Sequence, residues 1–148
     1  MAMTCYMTIK AKNQGDIQGD CTQQGRENTI LCYALDHTVE IPRDPHTGLA
    51  TGQRIHKPLR VSTHVGKHTP KIFQACCTGE HMDVELQQYR INEKGQEEKY
   101  FTVKLQDAII VESREWFPET FVEENKPYKH MEDILFRSEE RRVGKECR

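Results

Sequence analysis

The sequence is poor in apolar residues and contains no long hydrophobic run. Of its 148 residues, 36% are apolar and 7% are aromatic, and the mean hydropathy is −0.79. No stretch approaches the roughly 18 apolar residues of a membrane-spanning helix, which excludes membrane insertion by a helix. The length fits one domain. We therefore expect a thin core, as in a small barrel or sandwich, or a core that a partner subunit completes.

An excess of charge of one sign is also missing. The chain has 21 Lys+Arg against 23 Asp+Glu, a formal net charge of −2. Because nucleic-acid binding depends largely on neutralising phosphates, this balance argues against a dedicated nucleic-acid binder. The first nine residues, MAMTCYMTI, have no basic segment, and polar residues interrupt any apolar stretch. We expect no cleaved signal peptide.

The cysteines form no metal or redox motif. None of the six belongs to a C-x-x-C pair; they are Cys5, Cys21, Cys32, Cys76, Cys77 and Cys147. Without a signal peptide, the pattern favours reduced thiols in a cytoplasm, several of them small core side chains, over a disulfide framework. Cys76 lies on the apolar side of a predicted helix, which favours a core thiol over a catalytic nucleophile.

Patterns that support catalysis are absent as well. His64 and His68 have helical ligand spacing, but in an extended chain they stand about 13 Å apart, too far to share a zinc ion. No Gly-x-Ser-x-Gly motif occurs. Adjacent carboxylates such as Glu132 and Asp133 point to opposite faces of a strand and are interpreted as solvated charge. We predict no catalytic residue, no metal site and no cofactor.

What is present is β patterning. Residues 3–12 alternate apolar and polar side chains, as do residues 54–65, which places Arg54, His56, Arg60 and His64 on one basic face. Further strands are predicted at 29–35, 83–91, 98–105, 108–111 and 130–136, with a hairpin turn at 92–97. A second polar loop is predicted at 113–129. Seven or eight strands and one helix indicate a mainly antiparallel β barrel or sandwich.

The exceptions to this patterning are one helix and one long loop. Thr69 is the predicted N-cap, Pro70 the first helical residue and Gly79 the residue after the helix, which therefore covers about residues 70–78. From Pro42 to Gly52 the sequence reads PRDPHTGLATG, a composition typical of turns. Such long loops in small domains are usually functional or bind partners.

The C-terminal segment breaks the pattern. Eight of the last twelve residues, RSEERRVGKECR, are charged, and they show neither alternation nor an apolar stripe. We predict a domain at 1–136. Residues 137–148 are then a charged tail, either disordered or foreign to the fold.

Four segments carry a family resemblance: LDHTVEIPRDPHTGLATGQRIHKPL (35–59), KIFQACCTGE (71–80), QQYRINEKGQEEKYFTVKLQDA (87–108) and ENKPYKHMED (124–133). They closely resemble the haemolysin-coregulated protein (Hcp) family, the tube protein of the bacterial type VI secretion system. The similarity extends from about Thr4 to Phe136. It implies a compact antiparallel β barrel with one short flanking helix and an extended loop at about 42–53, and it implies no catalytic site. Family chains continue past the position of Phe136 with a final apolar strand, so the resemblance implies that the domain at 1–136 lacks this strand.

The resemblance also implies an assembly. Family members form hexameric rings that stack into a hollow tube, and the extended loop contributes contacts between subunits and between rings. The corresponding interface residues here are Pro42, Asp44, Pro45, Thr47, Gly48, Thr51, Gly52, Gln53, Arg54, His56, Lys57 and Pro58. We predict a lumen or assembly face at Arg60 and His64.

Partners and location follow from the same resemblance. The expected partners are further copies of the chain, the spike and sheath components of the secretion system, and small secreted effectors carried or chaperoned in the lumen. The chain is expected in the bacterial cytoplasm before firing and outside the cell afterwards. The alternative is a monomeric β-barrel module that binds a ligand or nucleic acid. Its stacked aromatic side chains are not evident, because the 11 aromatic residues are scattered.

Overall fold

The computed structural model describes residues 4–145, which contain nine strands and one α-helix. In chain order these are β1 (Cys5–Ala11), β2 (Gly15–Ile17), β3 (Ile30–Asp36), β4 (Val39–Glu40), β5 (Ile55–His56), β6 (Leu59–His64), α1 (Thr69–Thr78), β7 (Met82–Ile91), β8 (Glu97–Trp116) and β9 (Met131–Lys145). A short 3-10 turn, Glu123–Asn125, lies in the loop between β8 and β9.

Six strands close into an antiparallel barrel. The order is β1-β3-β6-β9-β8-β7, and β7 returns to pair with β1 over seven residues, from Cys5 opposite Gln88 to Ala11 opposite Met82. The short strand β2 extends the sheet beside β1. The compact antiparallel β barrel is therefore confirmed. Closure matters physically because it pairs the sheet edges that would otherwise aggregate.

The barrel interior follows the period-two alternation of the strands. In β6, Leu59, Val61 and Thr63 are fully buried, whereas Arg60 is exposed and His64 is half-buried. This is the division of faces that the sequence predicted. The largest fully buried apolar side chains are Phe136, Met7, Ile9, Ile30, Leu59, Ile72, Met82, Leu86, Leu105, Ile134 and Val61.

The helix covers the barrel through a narrow stripe. Pro70 lies in its first turn, and Gly79 ends it with φ 70°, a left-handed conformation that glycine adopts without strain. Ile72 and Ala75 are buried, but Phe73, also an apolar residue of the helix, is 55% exposed. The predicted N-cap is one residue late: His68 occupies that position, and Thr69 begins the helix.

Strand β8 joins segments that the sequence predicted as separate. A single strand of 20 residues runs from Glu97 to Trp116, so the polar loop begins later than residue 113. The Gln106-Asp107 break is a bulge at which Asp107 has φ 54°. Aspartate tolerates this left-handed conformation better than most residues do. The chain therefore continues the strand past two polar residues.

The largest difference between the sequence prediction and the structure lies in the C-terminal segment. Strand β9 does not end at Phe136 but continues to Lys145, and its register with β8 runs from Ser138 opposite Ala108 to Lys145 opposite Phe101. A barrel without its final strand and a disordered segment at 137–145 are therefore wrong. Backbone pairing needs no apolar side chains, and a strand with a solvated face accepts charge. Residues 146–148 lie outside the described part of the chain.

Candidate assembly surface

A two-stranded arm, residues 38–57, leaves the barrel between β3 and β6. At its base β4 pairs with β5, with Val39 opposite His56, and the Lys57 amide donates to the Thr38 carbonyl at 3.1 Å. Further out, Arg43 and Ala50 form an isolated antiparallel bridge. The predicted loop is therefore a hydrogen-bonded ribbon rather than an unstructured connection.

The tip of the arm is fixed by backbone hydrogen bonds around Asp44. Its amide donates to the Leu49 carbonyl and its carbonyl accepts from the Gly48 amide, each at 2.8 Å. Its carboxylate accepts from the His46 amide at 2.8 Å, an Asx-type turn. Gly48 has φ 73°, which requires glycine for an unstrained turn. The tip is thus built by the Asp, Pro, Thr and Gly residues that marked the loop in the sequence.

Apolar side chains on the arm face water in the single chain. Val39 is 47% exposed, Ile41 58%, Leu49 69% and Ile55 47%. None of residues 39–58 is buried. Exposed apolar groups held on an ordered ribbon are typical of a surface that another molecule covers.

The predicted interface residues all lie on this arm or at its junction with β6. Most are exposed, and Pro42 and Asp44 are half-buried. The structure thus brings the twelve residues onto one projecting element, and their contacts in an assembly stay a prediction.

The predicted basic face is divided and partly neutralised. Arg54 and His56 lie on the arm, whereas Arg60 lies on the barrel wall, 2.9 Å from the Asp133 carboxylate. Lys57 lies 3.3 Å from the Glu40 carboxylate. The row of cations is therefore not a uniform positive surface.

His64 is engaged with its neighbours. Its ring lies against that of Tyr33, with 4.0 Å between centroids. Burial, and secondarily the charge of Lys129, lower the pKa of His64. A neutral imidazole at physiological pH would contribute a hydrogen-bonding surface rather than a positive charge.

Asp133 is a functional-site neighbour that the sequence did not reveal. Its side chain is 3% exposed, and it accepts from Arg60 at 2.9 Å, from the Ser62 hydroxyl at 2.7 Å and from Trp116 Nε1 at 3.0 Å. The carboxylate, on β9, thus links this strand to β6 and β8. Its interpretation as solvated charge is wrong, because partners more than 70 residues earlier in the chain enclose it.

Glu132 is fully buried on the opposite face of β9. Its Oε2 accepts from the Thr69 hydroxyl at 2.9 Å and lies 3.2 Å from His68 Nε2. The Thr63 hydroxyl lies 3.2 Å from the same His68 nitrogen. This cluster anchors the start of α1 to β6 and β9. Glu132 and Asp133 point to opposite faces of β9, as the sequence pattern predicted. Both are buried, however, and not solvated as expected.

Metal-binding clusters and membrane-spanning helices are both absent from residues 4–145. No group of three His, Cys, Asp or Glu side chains is placed to hold a metal ion in this part of the chain. Within the same residues, no helix is long and apolar enough to cross a membrane.

A family model and a curated relative each match most of the chain. The family model described as "Type VI secretion system effector, Hcp" matches residues 6–140, which includes the first residues past Phe136. The "Major exported protein" of Pseudomonas aeruginosa is 36% identical over 146 residues, covering 92% of this chain and 85% of that protein.

Solved structures show the same fold over nearly the whole chain. Hcp1 from the E. coli EAEC 042 pathovar has a TM-score of 0.82 and 28% identity, with 99% of each chain covered. The secreted protein Hcp3 from Pseudomonas aeruginosa has a TM-score of 0.75 and 27% identity, covering 98% of this chain and 97% of its own. The chain belongs to the Hcp family of the type VI secretion system, a family of structural tube proteins and not of enzymes.

Proposed function

We propose that this chain assembles into a hexameric ring and that rings stack into the hollow tube that a type VI secretion system expels. The observation that carries the proposal is the arm, residues 38–57, an ordered ribbon whose apolar side chains have no cover in the single chain. A heterologous contact between identical copies closes into a ring when its rotation closes. Family membership supports this mode of association.

The exposed area on the arm is energetically relevant. Full burial of a Val, Leu or Ile side chain contributes about 1.5–3 kcal/mol. Since Val39, Ile41, Leu49 and Ile55 are between 47% and 69% exposed, covering what remains contributes roughly 1 kcal/mol each. Their sum of several kcal/mol offsets part of the cost of association. Removing one of them in every subunit therefore weakens every contact of the ring.

Other parts of the proposal rest on the family and on charge. Arg60 and His64 face away from the barrel core and in this proposal contribute to the lumen or to assembly contacts. Spike and sheath components and small secreted effectors are the further partners. In this proposal the chain is stored in the bacterial cytoplasm and then leaves the cell, in keeping with the exported relative.

The test compares Leu49→Asp with Leu49→Met. The first places a charge at the most exposed of the four apolar arm side chains, and the second keeps that side chain apolar and of similar volume. Light scattering and negative-stain microscopy of each purified protein measure mass and ring shape. We expect rings for the parent and Leu49→Met, and mainly monomers for Leu49→Asp. Circular dichroism spectra, expected to be the same for both variants, show that the barrel stays folded, whereas melting temperatures also change with association.

A parent chain that remains monomeric well above micromolar concentration contradicts the proposal. The monomeric binding module then becomes the better reading, and binding to nucleic acid is tested by its salt dependence. Rings that persist unchanged in a folded Leu49→Asp variant show that the arm is not the contact.

A further inference from the structure

Two cysteines distant in sequence meet at one end of the barrel. Cys5 in β1 and Cys32 in β3 are directly opposed in the antiparallel register. Directly opposed residues of such a pair have Cα atoms about 4.5–5.5 Å apart, which lies within the range that a disulfide spans. Both thiols are free in the structure. The backbone spacing of the two strands is therefore compatible with a bond between them.

The two thiols have different surroundings. Cys32 is 5% exposed and packs in the core, with its sulfur 3.6 Å from the Ile30 carbonyl oxygen. Cys5 is half-buried at the edge of that core. Hydrogen bonding to Cys32 lowers the pKa of Cys5 against the effect of burial, and the same hydrogen bond together with burial raises the pKa of Cys32. The negative charge of the pair is thus favoured on Cys5, the sulfur nearer to solvent.

A cleft opens onto the pair. It has a volume of about 150 Å³, and its lining includes Thr4, Cys5, Cys32, Tyr33 and Gln88. A water molecule occupies about 30 Å³, so the cleft admits a molecule of the size of hydrogen peroxide. The cleft thus gives a small oxidant access to Cys5.

We propose that Cys5 and Cys32 form a peroxide-oxidised dithiol that converts to a disulfide across β1 and β3. The Cys5 thiolate attacks one oxygen of hydrogen peroxide, the O–O bond breaks, and Cys5 becomes a sulfenic acid while hydroxide leaves. The Cys32 sulfur then attacks the Cys5 sulfur, the S–O bond breaks, and the sulfenic oxygen leaves as water. Two thiols and one peroxide give one disulfide and two waters.

The inference does not depend on ring assembly. If the chain is exported as proposed above, it leaves a reducing compartment, where thiols persist, for surroundings where disulfides persist. The disulfide then closes a loop of the chain that includes the long connection between β2 and β3, and we expect it to raise the melting temperature.

The experiment uses a background in which the other four cysteines, Cys21, Cys76, Cys77 and Cys147, are replaced by serine. Hydrogen peroxide is added, and intact mass, free thiols and peptide mapping are followed over time. We expect loss of two hydrogens, loss of both thiols, and a linked peptide pair containing Cys5 and Cys32. We also expect a melting temperature that rises on oxidation and returns after reduction with dithiothreitol.

Single replacements separate the steps. In the same background Cys32→Ser is expected to accumulate sulfenic acid on Cys5, trapped by dimedone, and Cys5→Ser is expected to leave Cys32 unlabelled. The parent chain supplies a comparison, because Cys77 is an exposed free thiol on α1.

Absence of the Cys5–Cys32 linked peptide overturns the inference, and so does oxidation of Cys5 no faster than that of Cys77. If a single replacement fails to fold, the cross-link in the background that retains both cysteines decides the question. Light scattering in parallel distinguishes this result from failure of the ring proposal, because a monomer that forms the disulfide retains the inference.

Discussion

Replacing Asp133 with alanine tests whether this carboxylate stabilises the fold by linking β6, β8 and β9. Its side chain is 3% exposed and accepts from Arg60, Ser62 and Trp116 at 2.7–3.0 Å. Asp133→Ala leaves the Ser62 and Trp116 donors without their acceptor, and hydrogen bonds to a charged group contribute about 1.5–3 kcal/mol each. Because the Arg60 side chain is 50% exposed and regains water, its lost contact adds little, and we expect a total cost of about 3–4 kcal/mol.

Three comparison variants apportion the cost. Arg60→Ala removes a half-exposed partner of Asp133 but leaves the Ser62 and Trp116 donors in place. We therefore expect it to cost about 0.5–1 kcal/mol, the value of a screened ion pair. Ser62→Ala and Trp116→Phe each remove one donor and are expected to cost about 1 kcal/mol. Double-mutant cycles with Asp133→Ala measure each coupling. The sum of single losses need not equal the cost of Asp133→Ala, because the partners share one carboxylate.

The assay is thermal and urea unfolding at one protein concentration, since association changes apparent stability. A loss of 3–4 kcal/mol corresponds to a melting temperature lower by about 6–16 °C for a chain of this size. Trp116 is the single tryptophan, so its fluorescence reports on the same site. An Asp133→Ala variant within 1 kcal/mol of the parent refutes the reasoning, as does a larger cost for Arg60→Ala. The contact also bears on any test of Arg60 in ring assembly. Arg60→Glu would place a second carboxylate beside Asp133 and would therefore disturb the fold as well as the surface.

Three further outcomes are expected. Deleting residues 137–148 should lower the melting temperature, because residues 137–145 pair with β8 from Phe101 to Ile109, and an unchanged melt would contradict that pairing. The hydrogen bond from Lys12 lowers the pKa of Asp107 in the folded chain. Ionised Asp107 therefore stabilises the fold fully above its unfolded pKa of about 3.9, and this stabilisation is lost as the pH falls through the lower folded pKa. Asp107→Asn, which tolerates the same φ, should therefore flatten the pH dependence of unfolding below about pH 4, and identical acid titrations for the two proteins would count against it. Gly79→Ala should lower the free energy of unfolding by about 1 kcal/mol, because the backbone at Gly79 has φ 70°. The control Gly144→Ala, at a position without a positive φ, should change it by close to nothing. Equal melting temperatures for the two variants would exclude strain at the end of the helix.

Local chemistry made several elements predictable. The alternation in β1 and β6, and the Pro70 and Gly79 signals around α1, depend on neighbouring residues. The structure places β1 and α1 within about two residues of their predictions, whereas the alternating segment 54–65 is divided between β5 and β6. The arm was also visible, because the turn residues from Pro42 to Gly52 exclude a regular strand. What the sequence missed there is that the loop closes on itself as a ribbon.

The sequence by itself therefore determined the β class, the place of the helix, and a projecting segment with turn chemistry at its tip. Only the tertiary structure decided that Glu132 and Asp133 are buried, because their partners Thr69 and Arg60 lie 63 and 73 residues earlier in the chain. The same holds for the charged end of β9, which becomes a strand because β8 offers it a row of backbone partners. Side-chain patterns report which face a residue prefers, whereas pairing of a polar segment depends on backbone groups that every residue carries.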